Sequence, residues 1–192
     1  RQSQMCIRDR YLNMNYSSDF KKITLPFDRK TLDSLNAGDY LLLSGTLYTG
    51  RDAAHKRLCE TISRGDALPV DLKGQAIYYV GPCFDEKGKP TGAGPTTSMR
   101  MDAYAPALYD YGVCASIGKG NRGEKVYDAI KRCGGVYLCA IGGAGALYAK
   151  AIENCKKVAY EDLGTEAVHE MHVKDFPVIV GIDSRGNSVF PD

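Results

Sequence analysis

The chain has 192 residues, 44% of them hydrophobic, with 25 basic and 23 acidic side chains and a formal net charge of +2. Those totals fit one domain of ordinary size with a real apolar core. The near-balanced charge gives no general electrostatic case for nucleic acid or an anionic membrane. No stretch has the ~18 consecutive apolar residues of a membrane span or the apolar centre of a secretory signal, so the chain reads as soluble.

The first residues, RQSQMCIRDRYLN, are polar and charged without periodicity, and a plausible start follows at Met14. Residues 1–13 are therefore expected to be a disordered leader or a gene-assembly artefact, and residues 14–192 a single domain. In LDSLNAGDYLLLSGTLYTG the apolar run at 40–43, flanked by Gly38 and Gly45, predicts a buried strand. RDAAHKRLCETISRG predicts a helix, with Ala54, Leu58 and Ile62 on one face and Gly65 ending it. AIYYV, residues 76–80, predicts a strand, and GPCFDEKGKPTGAGP a long loop.

Residues 98–111 predict a helix broken or kinked near Pro106, followed by the strand VCASIG. NRGEKVYDAIKRCG predicts a helix, GVYLCAI a strand, and GGAGALYAKAIENCK a glycine turn opening a further helix. KVAYEDL and the alternating VHEMHV read as strands, and PVIVGID with SVF as a closing hairpin across residues 184–187. Strands alternating with helices predict an α/β domain with a partly parallel central sheet and flanking helices. The seven cysteines, at 6, 59, 83, 114, 133, 139 and 155, have irregular spacing and no CxxC pair. They read as small buried hydrophobes of a reducing compartment rather than as disulfides or zinc ligands, so a cytoplasmic location is expected.

Candidate chemistry sits where strands hand over to helices. In GAGPTTSMRMDAY, residues 92–104, two glycines and a proline precede Thr96, Thr97 and Ser98, with Arg100 two residues later. A helix starting near Ser98 would offer an anion unpaired N–H groups, hydroxyls and a guanidinium fork. A Thr/Ser cap beside a surface arginine is the plainer alternative. In SGTLYTGRDAAHKR, Arg51 stands at a strand-to-helix junction, Asp52 suits the helix dipole, and His55 is either an acid/base or a packed histidine. In SIGKGNRG, Lys119 stands between two glycines, placed to reach an anion, but without Walker A spacing. GGAGA lacks the GxGxxG spacing of a dinucleotide site, although Glu161 and Asp162 lie where its acid would fall, and reads as a structural turn. Arg51, Arg100 and Lys119 on one edge would suit a small substrate with two carboxylates.

Three blocks in order, GTLYTGRDAAHKR, GPTTSMRMDAY and IGKGNRG, resemble the β subunit, or C-terminal half, of class I fumarases, an architecture shared with iron–sulfur L-tartrate dehydratases. The resemblance runs from Lys21 to the C-terminus, and TGRDAAH and GKGNR look closer to fumarase. It implies a swivelling β/β/α domain and reversible hydration of fumarate to L-malate. It also implies a four-iron four-sulfur cluster bound by a partner α subunit rather than by this chain, whose cysteines match no cluster-ligand pattern. A heteromer repeated about a twofold follows as an expectation. Carried over by motif, Arg51 and Arg100 would anchor substrate carboxylates, Lys119 would add a cation, and Thr96 would be the base, with Thr97 as its alternative. Ser98 would cap a helix and His55 would play a supporting part. A tartrate dehydratase β subunit and a non-catalytic anion-binding or assembly module are the alternatives.

Overall fold

Alternation of apolar residues along the strands sets the architecture. In this computed structural model, residues 20–141 and 143–190 are described, and the expected leader lies outside them. The chain runs β1 (Phe20–Thr24), α1 (Arg29–Ser34), β2 (Tyr40–Thr49), α2 (Asp52–Ser63), β3 (Ala76–Tyr78), β4 (Cys83–Phe84) and β5 (Pro90–Gly92). A 3-10 turn (Ser98–Met101) leads into α3 (Ala105–Tyr111), β6 (Ala115–Gly118), α4 (Glu124–Cys133), β7 (Val136–Cys139) and α5 (Gly145–Lys150). Then come β8 (Ile152–Ala159), a second 3-10 stretch (Glu161–Glu166) and β9 (Val168–Ile182).

Seven strands form one mixed sheet in the order β1-β2-β3-β6-β7-β9-β8. Neighbours from β1 to β7 are parallel, and β9 is antiparallel to β7 and β8. β9 also pairs antiparallel with β2, so β2, β3, β6, β7 and β9 close into a ring. The period of two divides their side chains between the ring's inside and outside. Leu41, Leu43, Leu47, Tyr78, Ile117, Leu138 and Val180 belong to the inner cluster. Each buried leucine there contributes about 2 kcal/mol. Ile77 and Tyr79 face outward with Leu58 of α2 and Leu108 of α3, while Tyr137 and Cys139 meet Val126 and Ile130 of α4. The expected α/β class with a partly parallel sheet and flanking helices is what forms.

The departures from the sequence reading have local causes. The strand read at 40–43 continues to Thr49, past a ladder irregularity between Leu43 and Gly45. VHEMHV and PVIVGID are one strand of 15 residues rather than two. KDFP looked like an interruption, and the ladder does deform there: Asp175 takes φ 49°, and its N–H donates to Ser44 Oγ at 3.0 Å. Gly45 deforms β2 at the same level, with φ 126°. The two strands bend together and resume pairing. The helix expected through IENCK ends at Lys150, because residues 152–159 pair with the outer side of β9. Residues 98–111 split into a 3-10 turn and α3, with Pro106 in the first turn of α3, where its missing N–H costs nothing. The long loop holds the hairpin β4–β5, turned by Asp85 Oδ1, which accepts from the N–H groups of Lys87 and Lys89 at 2.9 and 2.8 Å. The closing hairpin narrows to a single bridge, Ile182 to Ser188.

Gly45 is the position where this closure tolerates least. A Cβ there would stand 2.8 Å from the Leu25 carbonyl oxygen, on a backbone with φ 126°. Gly45→Ala is expected to cost about 1–3 kcal/mol, read as a lower urea midpoint with an unchanged denaturant slope.

Candidate functional site

Parallel pairing brings the carboxyl ends of β2, β3 and β6 to one edge. Beyond those ends, the extended segment 96–98 inserts beside β6. The Thr96 N–H donates to the Tyr79 carbonyl at 2.7 Å, the Lys119 N–H donates to the Thr96 carbonyl at 3.2 Å, and the Ser98 N–H donates to the Lys119 carbonyl at 2.9 Å. Thr96 and Lys119, read from separate motifs, are therefore direct backbone neighbours. Thr96 is half-buried and Thr97 exposed. Successive residues of an extended segment face opposite sides, so the two hydroxyls point apart.

Arg51 opens α2 and shares Glu166 with it. Its Nη2 lies 3.4 Å from Glu166 Oε1, while Glu166 Oε2 accepts from the Ala53 N–H at 3.0 Å. Glu166 thus caps α2 and steadies Arg51 with one carboxylate. Gly81 makes room for the side chain, since a Cβ there would fall 3.0 Å from Arg51 Nη1 and 3.1 Å from the Thr165 carbonyl oxygen. The Nε of Arg51 is buried with no protein partner.

Arg100 reaches the same helix start from the 3-10 turn. Its Nε and Nη2 donate to the two oxygens of Asp52 at 3.2 and 2.9 Å. This pairing along one edge leaves Nη1 and the second Nη2 hydrogen to bind another carboxylate. Lys119 is half-buried and enters no ion pair among the described residues. Two tethered guanidiniums, an unpaired ammonium and a hydroxyl thus share one edge. Such an arrangement can hold a dianion and stabilise negative charge on the hydroxyl oxygen.

One expected role changes. Ser98 is fully buried and caps nothing; its Oγ lies 2.8 Å from Tyr137 Oη. Tyr137 donates its one proton to the Gly120 carbonyl at 2.8 Å, so Ser98 donates to Tyr137. His55 is fully buried, edge-on to the Tyr79 ring at 5.1 Å, and its Nδ1 lies 2.9 Å from the Arg51 carbonyl oxygen. That contact requires the proton on Nδ1. Burial pushes the ring's pKa down to about 4, against the Arg51 carbonyl, which favours the charged form, so His55 is neutral at pH 7.

Sequence reasoning passed over Arg122, three residues beyond Lys119. Its side chain is wholly buried and donates through Nε to Asp102 Oδ1 at 2.7 Å. Burial works against its charge, but Tyr79, Tyr109 and Asp102 outweigh that and keep its pKa raised. The clue was available: an arginine following Lys-Gly-Asn in a glycine loop, with an aspartate two residues after Arg100.

With this geometry in place, comparison with known proteins is decisive. Residues 4–192 match the protein family described as Fumarase C-terminus. The chain belongs to that family. It is 43% identical over 183 residues to a putative class I fumarate hydratase of Geobacillus stearothermophilus, covering 91% of this chain and 35% of that protein. It is 43% identical over 153 residues to the anaerobic class I fumarate hydratase of Escherichia coli K12, covering 78% and 28%. A putative L(+)-tartrate dehydratase subunit beta of Methanocaldococcus jannaschii is 35% identical over 180 residues, 90% of each chain. The chain therefore spans about a third of the length of the fumarate hydratases it matches, and nearly all of a tartrate dehydratase β subunit. This member of the family presents its three motif blocks on one edge of the sheet.

His55 gives the fold a defined acid sensitivity. Its folded pKa of about 4 lies below the ordinary 6.5, so its contribution is complete above pH 6.5 and is lost as pH falls toward 4. The span corresponds to about 3 kcal/mol. Urea denaturation across that range is expected to show the loss, and His55→Gln to lack that component.

Proposed function

We propose that this chain is the substrate-anchoring half of a hydro-lyase that interconverts L-malate and fumarate with a partner α subunit. The observation that carries this reading is that Arg51, Arg100, Lys119 and Thr96 all lie on segments beyond the carboxyl ends of β2, β3 and β6, with Thr96 and Lys119 joined through their backbones and Arg100 paired with Asp52 beside Arg51. Family membership adds the reaction class through relatives named as fumarate hydratases. The fold is read as a swivelling β/β/α domain, supported by the closed ring of five strands with outer helices.

In the dehydrating direction, Arg51 and Arg100 each take one carboxylate of malate. Asp52 and Glu166 hold their forks, so little side-chain entropy remains to be lost on binding. Thr96 Oγ takes a proton from the carbon next to the one bearing the hydroxyl. The C–H electron pair becomes the double bond, and the C–O bond breaks with its electron pair on oxygen. The departing hydroxide becomes water by taking up one proton, matched by the proton that Thr96 then releases to regenerate its alkoxide. A threonine hydroxyl is a weak base, and as an alkoxide it depends on nearby cations; Lys119, bonded to its backbone, supplies one. Thr96 is preferred to Thr97 because it is half-buried, where those charges act more strongly than at an exposed position.

A four-iron four-sulfur cluster on the α subunit would supply Lewis-acid chemistry for the departing hydroxyl. Among the described residues, no three His, Cys, Asp or Glu side chains gather as a metal site. The proposed setting is cytoplasmic, supported by the six cysteines among the described residues, all of them free thiols; no helix among those residues is long and apolar enough to cross a membrane. A heteromer repeated about a twofold completes the proposal. Tartrate is the second reading, favoured by the 35% identity over 180 residues to a relative named as a tartrate dehydratase subunit beta. The extra hydroxyl of tartrate meets neither arginine's carboxylate-binding edge, so a substrate comparison decides.

The test is the pair reconstituted anaerobically with iron and sulfide and assayed on malate, fumarate and tartrate, with this chain alone expected to be inactive. Thr96→Val is expected to lower kcat by about 10²–10⁴-fold and Thr97→Val to change it by less than about threefold. The reverse ranking would make Thr97 the base. Arg100→Ala is expected to lower kcat/KM by at least about tenfold, and a near-normal value would end its role as an anchor.

A further inference from the structure

Arg122 carries more structure than a loop residue needs. Its Nε donates to Asp102 Oδ1 at 2.7 Å, its Nη1 to Ser116 Oγ at 3.0 Å and its Nη2 to Tyr79 Oη at 3.3 Å. Its guanidinium carbon lies 5.3 Å from the Tyr79 ring centre and 4.9 Å from that of Tyr137. Burying such a charge is expensive, and a well-packed apolar side chain often serves stability as well or better. A role beyond stability therefore has to be sought in what the network holds.

Each of its partners leads to a different part of the site. Tyr137 donates to the Gly120 carbonyl and receives the Ser98 hydroxyl, gripping the loops on either side of Lys119 and Thr97. Tyr79 carries the carbonyl that receives the Thr96 N–H. Asp102 follows the 3-10 turn that carries Arg100, and its second oxygen accepts the Gly123 N–H at 2.6 Å. Ser116 lies in β6, and Tyr109 of α3 approaches its Oγ at 2.7 Å. Close packing enforces the arrangement: a Cβ at Gly118 would fall 2.0 Å from Ser98 Oγ and 2.9 Å from the Tyr79 ring.

We infer that Arg122 is a positioning residue, a buried guanidinium bracket that fixes the Thr96 segment against the Lys119 loop. It contacts neither Thr96 nor Lys119 directly and acts through Tyr79, Tyr137 and Asp102. Arg51 and Arg100 have their own tethers in Glu166 and Asp52, so the bracket governs the base and its cation more than substrate anchoring. The inference rests on the function proposed above.

Two measurements on Arg122→Lys, which keeps the charge but loses the fork and the flat face, test it. In the reconstituted pair, kcat on the preferred substrate is expected to fall at least tenfold while KM moves less than threefold. Unchanged kcat, or a loss confined to KM, would overturn the inference. In the full chain without partner or substrate, amide exchange at Thr96, Ser98 and Lys119 is expected to accelerate at least tenfold, with β9 amides of the ring unchanged. Uniform acceleration, or none, would also overturn it. Should the lysine variant not fold, Tyr137→Phe removes only the hydroxyl joining Ser98 to Gly120. It is expected to show the same split in kcat and KM and the same local exchange, and wild-type behaviour would be the contrary result. Failure of the hydro-lyase reading would appear separately, as a wild-type pair inactive on malate, fumarate and tartrate.

Discussion

The antiparallel pairing of β2 with β9 is the constraint on which the rest of the structure depends. Without it the strands form an open sheet with β2 buried on one side only. With it, five strands close a ring, and Leu41, Leu43 and Leu47 gain a sealed interior. The closure needs both strands to bend at the same level. Gly45 bends β2 through a positive φ; Asp175 bends β9, and its N–H turns to the Ser44 hydroxyl. Pro177 pairs with Leu42 and contributes no N–H to the ladder.

Closing the ring also fixes where chemistry can sit. β2, β3 and β6 run parallel, so their carboxyl ends share one edge, and each passes directly into a motif-bearing segment. The backbone of residues 96–98 uses donors and acceptors left at the ends of β3 and β6. The candidate base thereby acquires its place from main-chain hydrogen bonds, which a change of side chain does not remove. Sites built this way are more exact than sites held on free loops.

Charge within the site follows one pattern. Arg51, Arg100 and Arg122 each have a carboxylate partner, in Glu166, Asp52 and Asp102 respectively. Lys119 has none among the described residues. A tethered guanidinium has lost its side-chain entropy before ligand arrives and still offers free N–H groups. An untethered ammonium keeps its full field for whatever anion comes close. The carboxylates also contribute to the fold, since Glu166 caps α2 and Asp102 receives the Gly123 N–H. Holding Arg51 and Arg122 and closing helix starts are thus the work of the same two side chains, Glu166 and Asp102.

Much of this was legible in the sequence. Apolar alternation and glycine punctuation marked most strands, the α2 face of Ala54 and Leu58, and the three junctions carrying Arg51, Thr96 to Arg100, and Lys119. These are local properties: a period of two or of 3.6, a turn residue, a charge beside a helix start. Other features were decided only by tertiary contacts. IENC became strand because β9 had an open edge, VHEMHV and PVIVGID became one strand because β2 lay alongside both, and Ser98 turned from cap to buried donor because Tyr137 was there. Arg122 drew no reading of its own in its glycine loop, and only folding set it between two tyrosine rings. Residue type determined which groups were available for chemistry; partners distant in sequence determined which were buried, tethered or left free, because burial and pairing are properties of pairs that no local pattern encodes.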